Sequence, residues 1–67
     1  MMTVAEFLHE VRSSTTIRFA EYVEVRHTDK DFSHSTLWKN LGFAASYTLC
    51  EFHVNNRQEI DSISIQR

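Results

Sequence analysis

Four histidines, one cysteine and nine acidic side chains are the groups in this chain that could do chemistry. His27, Asp29, Asp31 and His34 fall within one short polar stretch, and imidazoles with carboxylates make a ligand set for a divalent metal. The spacing argues against a zinc half-site. His27 and His34 stand wider apart than the usual ligand pair, and no second cysteine completes a paired site. The plainer reading of the stretch is an exposed polar turn. Cys50 and His53 form the tightest thiol–imidazole pair. They lie in a strand-like segment, where positions three apart point to opposite faces, so the two diverge. Thr48, Cys50, Phe52 and Val54 alternate on one face, which makes Cys50 a small core residue rather than a nucleophile. Glu6 and Glu10 read as a solvated helix face. No serine sits in a nucleophile-elbow setting, and a single glycine cannot build a phosphate-cradling loop. A chain this small has little room for an enclosed cleft. The sequence reads as that of a protein with no catalysis of its own, no cofactor and no metal.

Binding is what remains. Arg18, Tyr22 and Arg26 share one parity of a strand, a basic–aromatic–basic row that can hold a phosphate backbone and stack a base. Glu24 interrupts that row, and seven Lys and Arg against nine Asp and Glu give a net charge of −2, where nucleic-acid binders carry a basic excess. A nucleic-acid binder is therefore the second reading. The first is a small protein-binding module of the inhibitor, antitoxin or regulatory-adaptor type, acting by occupying a partner protein's surface. Its candidate contacts are Glu21, Tyr22, Glu24, Asp29, Asp31 and Trp38. The four acids can face a basic surface, and Tyr and Trp are enriched at contact hot spots. Trp38 reads first as the anchor of a short helix and second as a contact.

The elements that position these groups follow from periodicity. The chain has 67 residues and a mass of 7.9 kDa, so residues 1–67 form one compact domain. Hydrophobic residues make up 42%, enough for a core, and the lone cysteine excludes a disulfide within the chain. No apolar run approaches the ~20 residues of a membrane span, and no secretory leader is present, so the expected location is cytoplasmic.

Val4, Phe7, Leu8 and Val11 form one stripe of an amphipathic helix, with Thr3 and Glu6 as its capping box. Residues 16–27 alternate as a strand. Thr28 to Asp31 reads as a turn, and Ser35 then caps a short helix through Leu37, Trp38 and Leu41, closed by Gly42. Either Leu37 or Trp38 must lean outward from that helix. Ser46–Val54 and Glu59–Gln66 read as a hairpin turning at Asn55-Asn56-Arg57, with a bulge near Asp61 because Ile60 has the opposite parity to Ile63 and Ile65.

The expected fold is α+β, ordered α-β-α-β-β. It is a small three-stranded, mostly antiparallel sheet with an N-terminal helix and a second short helix packed on one face. The other face would stay open, leaving Tyr22 with Phe52 or Tyr47 uncovered, which is a physical reason to expect a homodimer or a covering partner. The stretch from Tyr47 to Ile65, with its Cys50-Glu51-Phe52-His53-Val54 centre, resembles the closing hairpin of NTF2-like domains. Those domains are far longer, and the pattern is that of any amphipathic hairpin, so no site is carried over from it.

Overall fold

The computed structural model describes residues 1–67. Its elements run α1 (Val4–Arg12), β1 (Arg18–His27), β2 (Phe32–Leu37), a 3-10 helix η1 (Trp38–Ala44), β3 (Thr48–Val54) and β4 (Glu59–Gln66). The strands form one sheet in the order β2-β1-β4-β3. The two hairpins are antiparallel, and β1 pairs parallel with β4. The class is α+β as expected, but the sheet has four strands rather than three and is mixed.

The additional strand is β2, where a turn followed by a helix was expected. Phe32-Ser33-His34-Ser35-Thr36-Leu37 carries no strong helix former before Leu37. Its short polar side chains alternate across an extended backbone that pairs with β1 from Tyr22–Leu37 to His27–Phe32. Asp31 takes the positive φ (50°) that closes the turn, a conformation Asp tolerates. The helix then begins only at Trp38, and Gly42 lies inside it rather than after it. Leu37 is the residue that leans outward, while Leu41 is fully buried.

The first helix is built as the sequence dictates. Thr3 Oγ1 accepts from the Glu6 N–H at 3.2 Å, and Glu6 Oε1 accepts from the Thr3 N–H at 2.8 Å. The amides of Val4 and Ala5, free at a helix start, donate to the carbonyls of Tyr47 and Ala45. This stitches α1 to the end of η1. Val4, Phe7, Leu8 and Val11 face a core completed by Phe19, Val23, Val25, Leu41, Ala44, Ile60, Ile63 and Ile65.

Two bulges decide which side chains reach that core. Val54 pairs with Ile60 and His53 with Ser62, so Asp61 is the extra residue, as expected, and all three isoleucines are buried. Leu49 pairs with Ile65 and Glu51 with Ser64, so Cys50 is the other extra residue. That bulge breaks the alternation which had placed Cys50 in the core, and the thiol is exposed. The turn between β3 and β4 also differs from expectation. Positive φ falls on Gln58 (63°), not on the paired asparagines. Asn55 contributes instead through its side-chain oxygen, which accepts the Arg57 and Glu59 amides.

Both helical elements cover one sheet face. The other carries Ser33, Ser35 and Leu37 of β2, Tyr22, Glu24 and Arg26 of β1, Ser62 and Ser64 of β4, and Glu51 and His53 of β3. It is polar apart from the neighbours Tyr22 and Leu37, and Ser64 is its one buried residue. Phe52 does not lie there: it packs on Phe7 of α1 at 4.9 Å between centroids. Nor does Tyr47, whose ring meets His27 edge-on at 6.3 Å. No helix is long and apolar enough to cross a membrane.

Candidate functional site

The acidic residues read as one partner-binding group are not brought together. Asp29 and Asp31 lie in the turn at one end of the β1–β2 hairpin, and Glu21 lies toward the other end. Glu21 lies six strand positions before the end of β1 at His27, roughly 20 Å from the turn. Glu24 sits on the polar face between them, opposite Ser35. Trp38 is the core anchor at the sheet's end. It stacks on Phe19 at 5.7 Å and an interplanar angle of 8°, with the Arg12 guanidinium 5.7 Å above its ring. Of the six, Tyr22 is the exposed aromatic, 59% exposed beside Leu37.

The basic–aromatic row fares no better as a single site. Arg18 is drawn to Glu59 at 3.6 Å, and the β1–β4 register shifts between Phe19 and Glu24. Tyr22 and Arg26 remain on the polar face with Glu24 between them.

His27 and His34 do meet. Their Nε2 atoms stand 2.9 Å apart, one donating and the other accepting. Phe32, Phe43 and Tyr47 surround the pair, with centroids 5.3, 6.2 and 6.3 Å from the His27 ring. His27 is buried, and its pKa is pushed below the ordinary 6.5, first by desolvation, then by His34 and Lys30, with Asp29 opposing. Asp29 and Asp31 do not join the pair, and no three His, Cys, Asp or Glu side chains converge on a common point.

The acid–base pair missed from sequence is His53 with Asp61, Nδ1 to Oδ1 at 2.7 Å. The bulge at Asp61 creates it by letting that side chain reach across to β3, so the predicted bulge was the available signal. Both side chains lie on an open flat surface, and Asp61 is the only side chain hydrogen-bonded to His53.

A groove of about 420 Å³ does exist at the end of α1, lined by Val11, Arg12, Ser14, Ile17, Arg18, Phe19 and Trp38. It is open to solvent. Its one hydroxyl, on Ser14, accepts the Thr16 and Ile17 amides at 3.1 and 3.2 Å, which ties it into the loop.

The two sheet edges are unlike. β3 carries a bulge at Cys50 and the charge of Glu51, and is partly covered at its start, where Thr3 bridges Thr48 and the Leu49 amide donates to Met2. Charges, bulges and coverage are the usual guards of an edge strand. β2 has none of them. Its pairing with β1 is unbroken, and none of its six residues is Lys, Arg, Asp, Glu or Pro. Tyr22 (59% exposed) and Leu37 (37%) flank it on the polar side, and Phe32 (53%) and Phe43 (50%) on the helix side. Most of the molecule's exposed large apolar side chains thus border one strand. No protein family, curated protein or solved structure matches the chain.

Proposed function

We propose that the chain is a protein-binding module without catalysis of its own, and that it docks through the open edge of β2. The observation that carries this reading is the contrast between the edges: β3 is guarded, while β2 is uncharged, continuous and bordered by Tyr22, Leu37, Phe32 and Phe43. An edge strand offers a row of unpaired amides and carbonyls, and strand addition satisfies them while neighbouring apolar side chains supply contact area. The acidic turn residues Asp29 and Asp31 and the edge of the polar face would then form the rim of the contact.

The test uses Ser35→Pro. The amide of Thr28 donates into β4, at the Ile65 carbonyl. Backbone groups alternate sides along a strand, so Val23, Val25 and His27 turn theirs toward β2. Their partners Thr36, His34 and Phe32 take up those bonds, which leaves the groups of Ser33, Ser35 and Leu37 facing outward. Proline at position 35 removes an amide that only an added strand would use. Tagged wild-type and variant chains are incubated with nuclease-treated extract of the source cells, and stoichiometric protein partners are counted, the chain itself included. Partners held by the wild type and lost by Ser35→Pro support the reading. Equal recovery by both chains overturns it.

A further inference from the structure

Resting on that reading of β2, we infer that the strand added there is β2 of a second copy of this chain, antiparallel about a two-fold axis through Ser35. A two-fold perpendicular to the sheet returns each face to its own side, so only residues of equal parity can oppose one another across it. The outward backbone groups belong to Ser33, Ser35 and Leu37. One register places all three residues opposite one another. Ser35 opposes Ser35 of the second copy, and Ser33 and Leu37 oppose that copy's Leu37 and Ser33. The Ser35 pair exchanges two backbone hydrogen bonds, and each Ser33–Leu37 pair contributes one, from the Leu37 amide, because the Leu37 carbonyl already accepts from the Thr36 hydroxyl and opens η1. Centring the axis on His34 instead leaves Leu37 opposite Asp31, which lies in the turn at positive φ.

A strand facing its own copy meets its own charges, and β2 carries none. The side chains at the junction are small on the polar side. The row there reads Tyr22 and Leu37, then Ser33 and Arg26 of the second copy, so the exposed apolar pair comes to lie near an arginine stem that can cover it. The two Glu24 carboxylates stay separated by the paired serines. On the helix side, His34 opposes Thr36 of the second copy. The sheet becomes eight strands long, and the only remaining edges are the two guarded β3 strands.

The register is testable by cross-linking. Narrow-pair Cα atoms lie about 5.5 Å apart, within the range of a disulfide. Ser35→Cys, in a Cys50→Ser background, is expected to oxidise to a covalent dimer. Ser33→Cys alone is not, because its copy lies roughly 13 Å further along the strand. Ser33→Cys with Leu37→Cys restores the link. Sedimentation equilibrium of the wild-type chain from micromolar to millimolar concentration is expected to show a monomer–dimer equilibrium that Ser35→Pro abolishes, with circular dichroism confirming that the variant is folded. A monomer at every concentration overturns the inference, as does equal cross-linking of Ser33→Cys and Ser35→Cys. A wild-type monomer that still captures another protein through β2 would sink the second copy alone. Capture indifferent to Ser35→Pro sinks strand docking as well.

Discussion

The histidine pair makes the strongest quantitative prediction. His27 is buried among Phe32, Phe43 and Tyr47, and it shares a 2.9 Å contact with His34. Its pKa in the folded chain is held below 6.5, chiefly by desolvation. As pH falls from 8, the unfolded chain therefore takes up the proton first. Stability is level above pH 6.5, declines below it, and levels again once the folded chain also protonates. One proton sets an upper limit on that decline of about 1.4 kcal/mol per pH unit. His27→Phe removes the titrating group and keeps a ring of similar shape in an aromatic shell. At pH 8 the variant forfeits one neutral hydrogen bond, net about 1 kcal/mol, and gains apolar burial, so it should lie within ~1 kcal/mol of wild type. Between pH 6.5 and 5 the difference should move in the variant's favour. Urea unfolding followed by Trp38, the sole tryptophan, measures both curves from pH 5 to 8. The difference between them removes whatever is common to both chains. Parallel curves across the whole range would refute the argument.

Thr3→Ala should destabilise the chain by about 1 kcal/mol through loss of the cap, lowering Tm by roughly 4–8 °C. The Thr3 amide holds the Glu6 carboxyl below its ordinary 4.5, so the carboxylate's support of the helix start persists above pH 4.5 and fades as pH falls through that lowered value; a Glu6→Gln chain should lack this acid limb. Ile63, fully buried on a central strand, should cost about 2–5 kcal/mol on truncation to Ala and 0.5–1.5 on truncation to Val, measured by urea unfolding. The larger figure rivals the roughly 3–10 kcal/mol total stability expected of a domain this size. The exposed bulge thiol of Cys50 should react with Ellman's reagent in the folded chain within a few-fold of its rate in urea; protection released only by urea would put the thiol back in the core.

What could be read from the sequence followed from how local each signal was. The capping box and the stripe of α1 depend on residues three and four apart, and both stand in the structure. The alternation of β1 is held from Tyr22 to His27, where β2 pairs without slipping, while its register with β4 shifts between Phe19 and Glu24. The bulge at Asp61 was legible because three isoleucines cannot share a face without one. The bulge at Cys50 was not, because Thr48, Cys50, Phe52 and Val54 fit an unbroken strand equally well, and only pairing with Ile65 and Ser64 distinguishes the two. β2 was hidden for a similar reason. Serine, threonine and histidine state little preference, and the neighbouring Leu37-Trp38-Leu41 pattern suggested a helix that in fact begins three residues later than Ser35. Of the candidate contact residues, the acids were grouped by nearness in sequence, which a hairpin pulls apart along its length. The His27–His34 pair is the reverse case: seven residues apart, and joined because the same hairpin folds them back.

That hairpin also explains why the unguarded edge and the histidine pair share one strand. β2 has a neighbour on only one side, so its place in the fold depends on β1, on the four-residue turn, and on side chains reaching over the helix face. His34 provides such a reach, and its partner His27 is the one buried group whose charge state the surroundings resist. Any loss of that contact loosens the strand that presents Ser33, Ser35 and Leu37. The remainder of the core lies elsewhere, on α1, β1, β4 and η1, none of it contributed by β2. The edge can therefore fray, or find a strand to hold it, without disturbing the twelve residues that keep the domain folded. A strand that adds nothing to the core and lacks every guard of an edge is costly to keep ordered in isolation. Pairing supplies the order that packing does not.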